Sequence, residues 1–341
     1  MAEAETVVYT LLEVVLALGC STGNLLVVLA VCTSRALRET TFCFVVSLAV
    51  ADLLVGCVVI PLALLVDGRI GMSFHSCLFI SCVVIVVTQV SVHSLLAIAV
   101  DRYLRVYNPL RYRKAVKKQH LWVAVTVCWI SATLLGLLPM FGWHKKNPTT
   151  PQNSTMICKF MDVISMSYMV NFVFFACVIP PIIIMTLLYL HLFIIISKQL
   201  KKGIGCATET RSFYYKERKL ANSLSLVLAL FAVSWVPLHI MNALFHYRIA
   251  RIPKVAFHIG ILLLHANSAA NPIVYAFKVP KIRMAYKRLL RRLTCSEMKA
   301  EPASQTMDNN VSTNSNSNAC GIVKKGQQVV FDISQESISA I

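Results

Sequence analysis

The sequence predicts an all-α membrane protein: a seven-transmembrane helix bundle with a short amphipathic cytoplasmic helix after the seventh span. Three observations predict it. The 341 residues are 57% hydrophobic and only 14% charged, with a mean hydropathy of +0.67, too apolar for a water-soluble domain and too evenly so for a single anchor. Seven stretches, 7–32, 42–66, 75–100, 121–143, 165–197, 220–246 and 255–277, are each long enough to cross about 30 Å of hydrocarbon as a helix. With the N-terminus outside, 26 of the 33 Lys and Arg residues fall on the cytoplasmic side, the asymmetry of the positive-inside rule. A transmembrane barrel is not expected, because its strands would read as alternating segments of about 10 residues rather than continuous apolar runs.

In chain order, residues 1–6 are a short extracellular N-terminus whose Glu3 and Glu5 are acidic where a cleavable signal would be basic. Span one then serves as its own uncleaved targeting signal. The helix bundle occupies 7–277. Most of the twelve cysteines lie inside apolar spans, where a thiol is a small buried hydrophobe. Cys77, at the outer start of span three, and Cys158, in the loop before span five, both face the oxidising compartment, so a disulfide between them is expected. That loop also carries Asn153-Ser154-Thr155, an N-glycosylation acceptor on the outer face. In 278–295, Ile282, Ala285, Tyr286, Leu289, Leu290 and Leu293 recur at helical spacing among Lys and Arg. This predicts a helix lying on the inner leaflet against anionic lipid. Cys295 follows as a palmitoylation candidate, the alternative being an unmodified thiol. Residues 296–341 turn polar and rich in Ser, Thr and Asn, as in a disordered tail.

The net charge of +18 does not signal nucleic acid, since no reader fold or stacking platform accompanies it. A transporter is disfavoured by the absence of an inverted repeat or a pair of interrupted apolar segments. A membrane enzyme is disfavoured because no His-Glu-x-x-His or Gly-x-Ser-x-Gly occurs.

Polar residues inside the spans mark mechanism, because lipid cannot satisfy them. Ile261, His265, Ser268, Asn271 and Tyr275 step by 4, 3, 3 and 4 and share one helix face, with Asn267 close by. Asp52 is the one acid of span two, and Ser91 stands on span three. This set reads either as a neutral hydrogen-bonded core acid or as a cation site of hard oxygens. Arg102 needs partners for five donors; Asp101 is adjacent, and Glu217 begins span six. A solvated charge cluster and a two-state ion pair are both open. Trp235, His239 and Asn242 share a face of span six around Pro237, whose missing N–H predicts a kink. Trp235 is core filling or, one turn below His239 at a hinge, a ligand sensor.

Asp101-Arg102-Tyr103 at the end of span three and Asn271-Pro272-Ile273-Val274-Tyr275 in span seven resemble the rhodopsin-like family of G-protein-coupled receptors. The runs 97–106, 139–143 and 265–272 resemble adenosine receptors in particular, and the likeness extends from span one through the helix after span seven. It implies a receptor in the plasma membrane, N-terminus extracellular and C-terminus cytoplasmic, that binds adenosine or a related purine nucleoside. It implies a sodium ion held by Asp52, Ser91, Asn267 and Asn271 as an allosteric cation, with no other cofactor. The Arg102–Glu217 pair would hold the inner ends of two spans together until agonist parts them, with Tyr103, Tyr189, Pro237, Pro272 and Tyr275 moving alongside.

By the same resemblance the base stacks on Phe160 and is gripped by Asn242. The ribose meets Thr88, His239 and His265, with Glu13 orienting His265. Trp235, Leu238, Met169 and Ile261 complete the pocket. An aromatic face suits a flat base, and an amide offers a donor beside an acceptor. Amine receptors place an aspartate where Val84 stands and opsins a lysine where His265 stands, so those ligand classes fit worse. The stretch Phe213-Tyr214-Tyr215-Lys216-Glu217 resembles the cAMP-lowering subtypes and implies an inhibitory heterotrimeric G protein, with kinases and arrestin at the tail. Three departures stand out: Leu264 replaces a serine or threonine, Val173 an asparagine and Met161 a variable glutamate. They leave as the alternative a relative with a changed ligand or constitutive activity.

Overall fold

A computed structural model describes residues 2–34, 42–145, 155–202 and 208–297. Among these, seven helices are long and apolar enough to span a bilayer: Ala4–Thr33, Phe42–Leu65, Phe74–Tyr107, Gln119–Gly136, Tyr168–Lys201, Arg211–His246 and Lys254–Lys278, called spans one to seven below. Their apolar residues supply one continuous core running from Val27 and Phe44 through Leu48, Ile98 and Phe231 to Tyr275. Many of the large exposed hydrophobics, such as Leu18, Val127, Leu134, Leu187 and Val233, lie on the outward faces of these helices. A soluble protein would not expose them in such stripes; a lipid solvent wants them there.

Several boundaries differ from the sequence reading. Span three continues to Tyr107, so Asp101-Arg102-Tyr103 lies more than a turn inside the helix rather than closing it. Asn108 and Pro109 stop it, and the Asn108 side chain then caps a short helix, Pro109–Ala115, by accepting from the Arg111 N–H at 3.2 Å. Span four ends at Gly136, seven residues early, because Pro139 follows and the chain turns through a 3-10 segment, Leu138–Phe141, to Gly142 at φ 115°. Gly136 is where spans three and four touch, since a Cβ there would meet Val86 at 2.6 Å. The helix of span six begins at Thr208, which puts Glu217 within it rather than at its start.

Prolines explain two departures from regular α-helix that the sequence reading passed over. The chain widens into π-helix at Val55–Val59 and at Tyr168–Val178, just ahead of Pro61 and of Pro180-Pro181. A proline ring collides with the carbonyl four residues back, and an extra residue per turn relieves that collision. Strands form after all, though outside the spans. Asp67–Met72 (β1) pairs antiparallel with Met156–Lys159 (β2), matching Met72 with Met156 and Asp67 with Lys159. After span seven the helix Pro280–Glu297 buries Ile282 and Ala285 and exposes Arg283, Lys287 and Arg288. Its Tyr286 is partly buried, which pushes the phenol up to about 12.

Candidate ligand site and ion-paired end

The expected disulfide between Cys77 and Cys158 is present, and it ties β2 to the outer end of span three. Two residues on, Phe160 opens a single helical turn, Phe160–Val163, its N–H bonded to the Val66 carbonyl at 3.0 Å. The sheet, the disulfide and this bond together fix the backbone of Phe160 at the Cys77 end of the bundle. Tyr168 adds a clamp by donating to the Leu135 carbonyl at 2.8 Å.

Below that roof, polar groups are buried on facing spans. His239 stacks flat on Phe174 at 5.1 Å and 6°, and on Trp235 at 5.8 Å. Both His239 nitrogens and Trp235 Nε1 are buried without hydrogen-bond partners. Buried polar atoms are ordinarily satisfied, so three adjacent exceptions call for an explanation. Asn242 is buried one turn further out. His265 Nδ1 lies 2.7 Å from Glu13 Oε2, with both residues buried; this holds the ring so that Nε2 is its free edge. Met169 is buried on span five, and Leu238 packs where Gly260 brings spans six and seven together, beside half-buried Ile261. The Thr88 hydroxyl directs its proton at the Val84 and Ile85 carbonyls of its own helix, at 2.9 and 2.8 Å, which leaves its oxygen to accept. Phe174, the ring stacked on His239, and Gln89, a buried amide beside Thr88 with Oε1 unpartnered, were not foreseen. Neither has a motif around it, and only tertiary contact reveals them.

Deeper in, Asp52 is 0% exposed. Ser268 Oγ donates to it at 2.8 Å and Asn271 Nδ2 at 2.7 Å. Asn267 Oδ1 and Asn271 Oδ1 are buried without partners, and the buried Ser91 hydroxyl of span three lies close to the Asp52 carboxyl group. The donor set is all oxygen, as a hard cation requires. Among the described residues no cluster of three His, Cys, Asp or Glu assembles as a softer metal would need. Asn24 was missed by the sequence reading. Pro272 cannot donate to the Ser268 carbonyl, and Asn24 Nδ2 bonds that carbonyl instead, at 3.0 Å, joining span one to span seven. Gly23 permits the approach, since a Cβ would lie 3.0 Å from the Pro272 ring.

At the opposite end of span three from Cys77, Arg102 bonds Asp101 at 2.7 Å and lies 3.6 Å from Glu217. Arg105, not foreseen, reaches the other Glu217 oxygen at 3.3 Å. Tyr112 of the short helix donates to Asp101 at 2.5 Å, and Tyr103 meets His191 at 3.2 Å. Tyr189 and Tyr275 are buried beneath, the Tyr275 hydroxyl unpartnered. The cavity between Arg102, Ile98, Leu220, Leu224 and Tyr275 has a volume of only about 10 Å³, at the lower limit for a single water. The inner mouth is shut. Asn153 and the tail from 298 lie outside the described residues; Cys295 falls within the last helix.

Seven spans with one ion-paired end, one disulfide-roofed end and buried polar groups between them have the architecture of a helical membrane receptor. The family model described as "7 transmembrane receptor (rhodopsin family)" matches residues 23–275. Similar proteins include Adenosine receptor A3 of Bos taurus and of Ovis aries, each 42% identical over 84% of this chain and 90% of theirs. Adenosine receptor A3 of Canis lupus familiaris is 43% identical over 82% and 90%. The chain therefore belongs to the rhodopsin family of seven-transmembrane receptors, and within it to the adenosine receptors. It is a multi-pass membrane receptor and not an enzyme.

Proposed function

We propose that this receptor binds adenosine or a closely related purine nucleoside at its extracellular end and signals through a heterotrimeric G protein of the inhibitory, cAMP-lowering class. The N-terminus is extracellular and the C-terminus cytoplasmic, where kinases and arrestin meet the tail. The observation that carries the reading is the set of buried, unpartnered polar atoms on Trp235 and His239 beside Asn242, under a roof anchored at Cys77–Cys158. These groups suit a flat heterocycle with polar edges: Phe160 stacks it, Asn242 grips it, and His265 and His239 reach the sugar. Spans that differ in their contacts with bound and absent ligand form a two-state element, and the shut inner mouth is one of its states. The test titrates adenosine against cAMP in cells expressing the chain, with a ligand-free baseline. A saturable fall in cAMP is expected; no response at any dose overturns the reading. Leu264 and the buried Val173 offer no hydrogen bond where relatives have polar side chains, which favours a changed nucleoside as the second reading. Each lost bond costs about 0.5–1.5 kcal/mol, so adenosine is expected to bind about 2- to 10-fold more weakly here than in a pocket that keeps the polar side chain.

Sodium is proposed at Asp52, with Ser91, Asn267 and Asn271 supplying further oxygens. A bound cation there supplies charge balance for the carboxylate in the shut state. Asp52→Asn is expected to remove the sodium-dependent weakening of agonist binding, read by radioligand competition in sodium and in a large organic cation; persistent salt sensitivity places the ion elsewhere. Glu217→Gln leaves Arg102 and Arg105 without their shared carboxylate and is expected to raise ligand-free signalling about 5-fold for each ~1 kcal/mol withdrawn from the shut state. An unchanged baseline in a G-protein nucleotide-exchange assay would show that Glu217 does not hold the switch.

A further inference from the structure

On the outer side of the seam between spans five and six, at the same end as Arg102, lies a groove of about 320 Å³ lined by Ser197, Leu200, Lys201, Arg211, Tyr215 and Arg218. That volume lies in the range of about 300–1,000 Å³ typical of small-ligand sites. Among the described residues Lys201, Arg211 and Arg218 form no ion pair, and Glu217 is turned away toward Arg102 and Arg105. Three cations thus line one groove with no carboxylate paired to them among the described side chains, an arrangement that an anion relieves.

The groove does not face the bundle interior. Ser197 and Lys201 continue the helical stripe Ile183, Leu187, Leu190 and Ile194, at steps of 4, 3, 4, 3 and 4, and all four apolar members are exposed. Arg211, Tyr215 and Arg218 continue the stripe Asn222, Leu226, Ala229 and Val233 on span six, exposed throughout. Two lipid-facing stripes therefore run straight into one basic groove, with the exposed Tyr215 at the polar boundary where aromatic residues settle.

We propose that this groove seats the phosphorylated headgroup of an anionic lipid in the cytoplasmic leaflet, its acyl chains lying along the two stripes. Arginine forks match phosphate oxygens in pairs, Lys201 adds a point charge, and the Ser197 and Tyr215 hydroxyls donate to what remains. Three cations favour a headgroup with phosphomonoesters over a single phosphodiester. The leaflet assignment rests on the orientation proposed above, whereas the site itself does not.

The test uses the full chain in phosphatidylcholine nanodiscs, whose two leaflets make the result independent of orientation. A few mole per cent of phosphatidylinositol bisphosphate is added, bound lipid is counted by native mass spectrometry, and amide exchange is followed over 197–201 and 211–218. Bound lipid with protection of both segments is expected. The variant K201Q/R211Q/R218Q is expected to weaken binding about 100-fold, at roughly 5-fold per cation, while K287Q/R288Q on the last helix leaves protection at the groove unchanged. Equal lipid binding by the groove variant, or equal protection by phosphatidylserine at matched charge, overturns the proposal in favour of diffuse attraction. Equal protection by soluble inositol trisphosphate in lipid-neutral discs overturns the lipid source and leaves a free-phosphate site. A thermal melt of the groove variant within a few degrees of wild type is expected, since all three side chains are exposed.

Discussion

Asn242→Ala is expected to abolish nucleoside binding while leaving the receptor at the cell surface. The side chain is buried near the outer end of span six, one turn above His239. An amide there presents a donor and an acceptor side by side, which matches one edge of a purine. Alanine removes both and leaves two polar groups of the base buried without partners, at about 1–3 kcal/mol each. The loss is therefore at least about 30-fold in affinity. Folding should survive, because the truncation opens a polar cavity that water can enter. Saturation binding on membranes, with surface protein measured by antibody, reads both quantities. Retained affinity at normal surface density would remove the purine pose and with it the proposed role of Asn242.

Removing either partner of the Glu13–His265 pair is expected to cost more stability than removing both. The two are 2.7 Å apart and buried, and Glu13 Oε1 has no second partner. His265→Leu strands a carboxylate at membrane depth, where breaking a buried pair costs about 3–5 kcal/mol. The pair E13L/H265L swaps it for apolar side chains of similar bulk, a change that is often neutral. Thermal denaturation of purified receptor should thus show a large drop for H265L and recovery in the double variant. Additive losses would mean the two residues are not energetically coupled. Ligand binding is not expected to return with stability, since His265 is itself proposed to contact the sugar.

Much of this protein was legible in one dimension. The seven spans follow from hydropathy, since length and composition alone decide what crosses a bilayer. Arg102, Asp52, His265 and Asn271 announced themselves as polar residues in apolar helices. The Cys77–Cys158 bridge followed from the side of the membrane on which each cysteine lies. The boundaries were less legible: span four looked seven residues too long because hydropathy stays high through the turn that Pro139 makes after Gly136, and span three ran past Arg102 because a charged helix end and a charged loop look alike.

What tertiary structure alone decided is pairing across distance. Asn24 is an ordinary asparagine in sequence; its task appears only once Pro272 has freed a carbonyl 244 residues away. Arg105 shares Glu217 with Arg102, Phe174 stacks on His239, and Tyr112 reaches Asp101, each by virtue of where two helices meet. The sequence by itself determined which segments enter the membrane and which polar groups must face inward, because the lipid solvent penalises every alternative. It did not determine which inward group meets which, because that depends on crossing angles, glycine contacts and proline-widened turns that many residues set together.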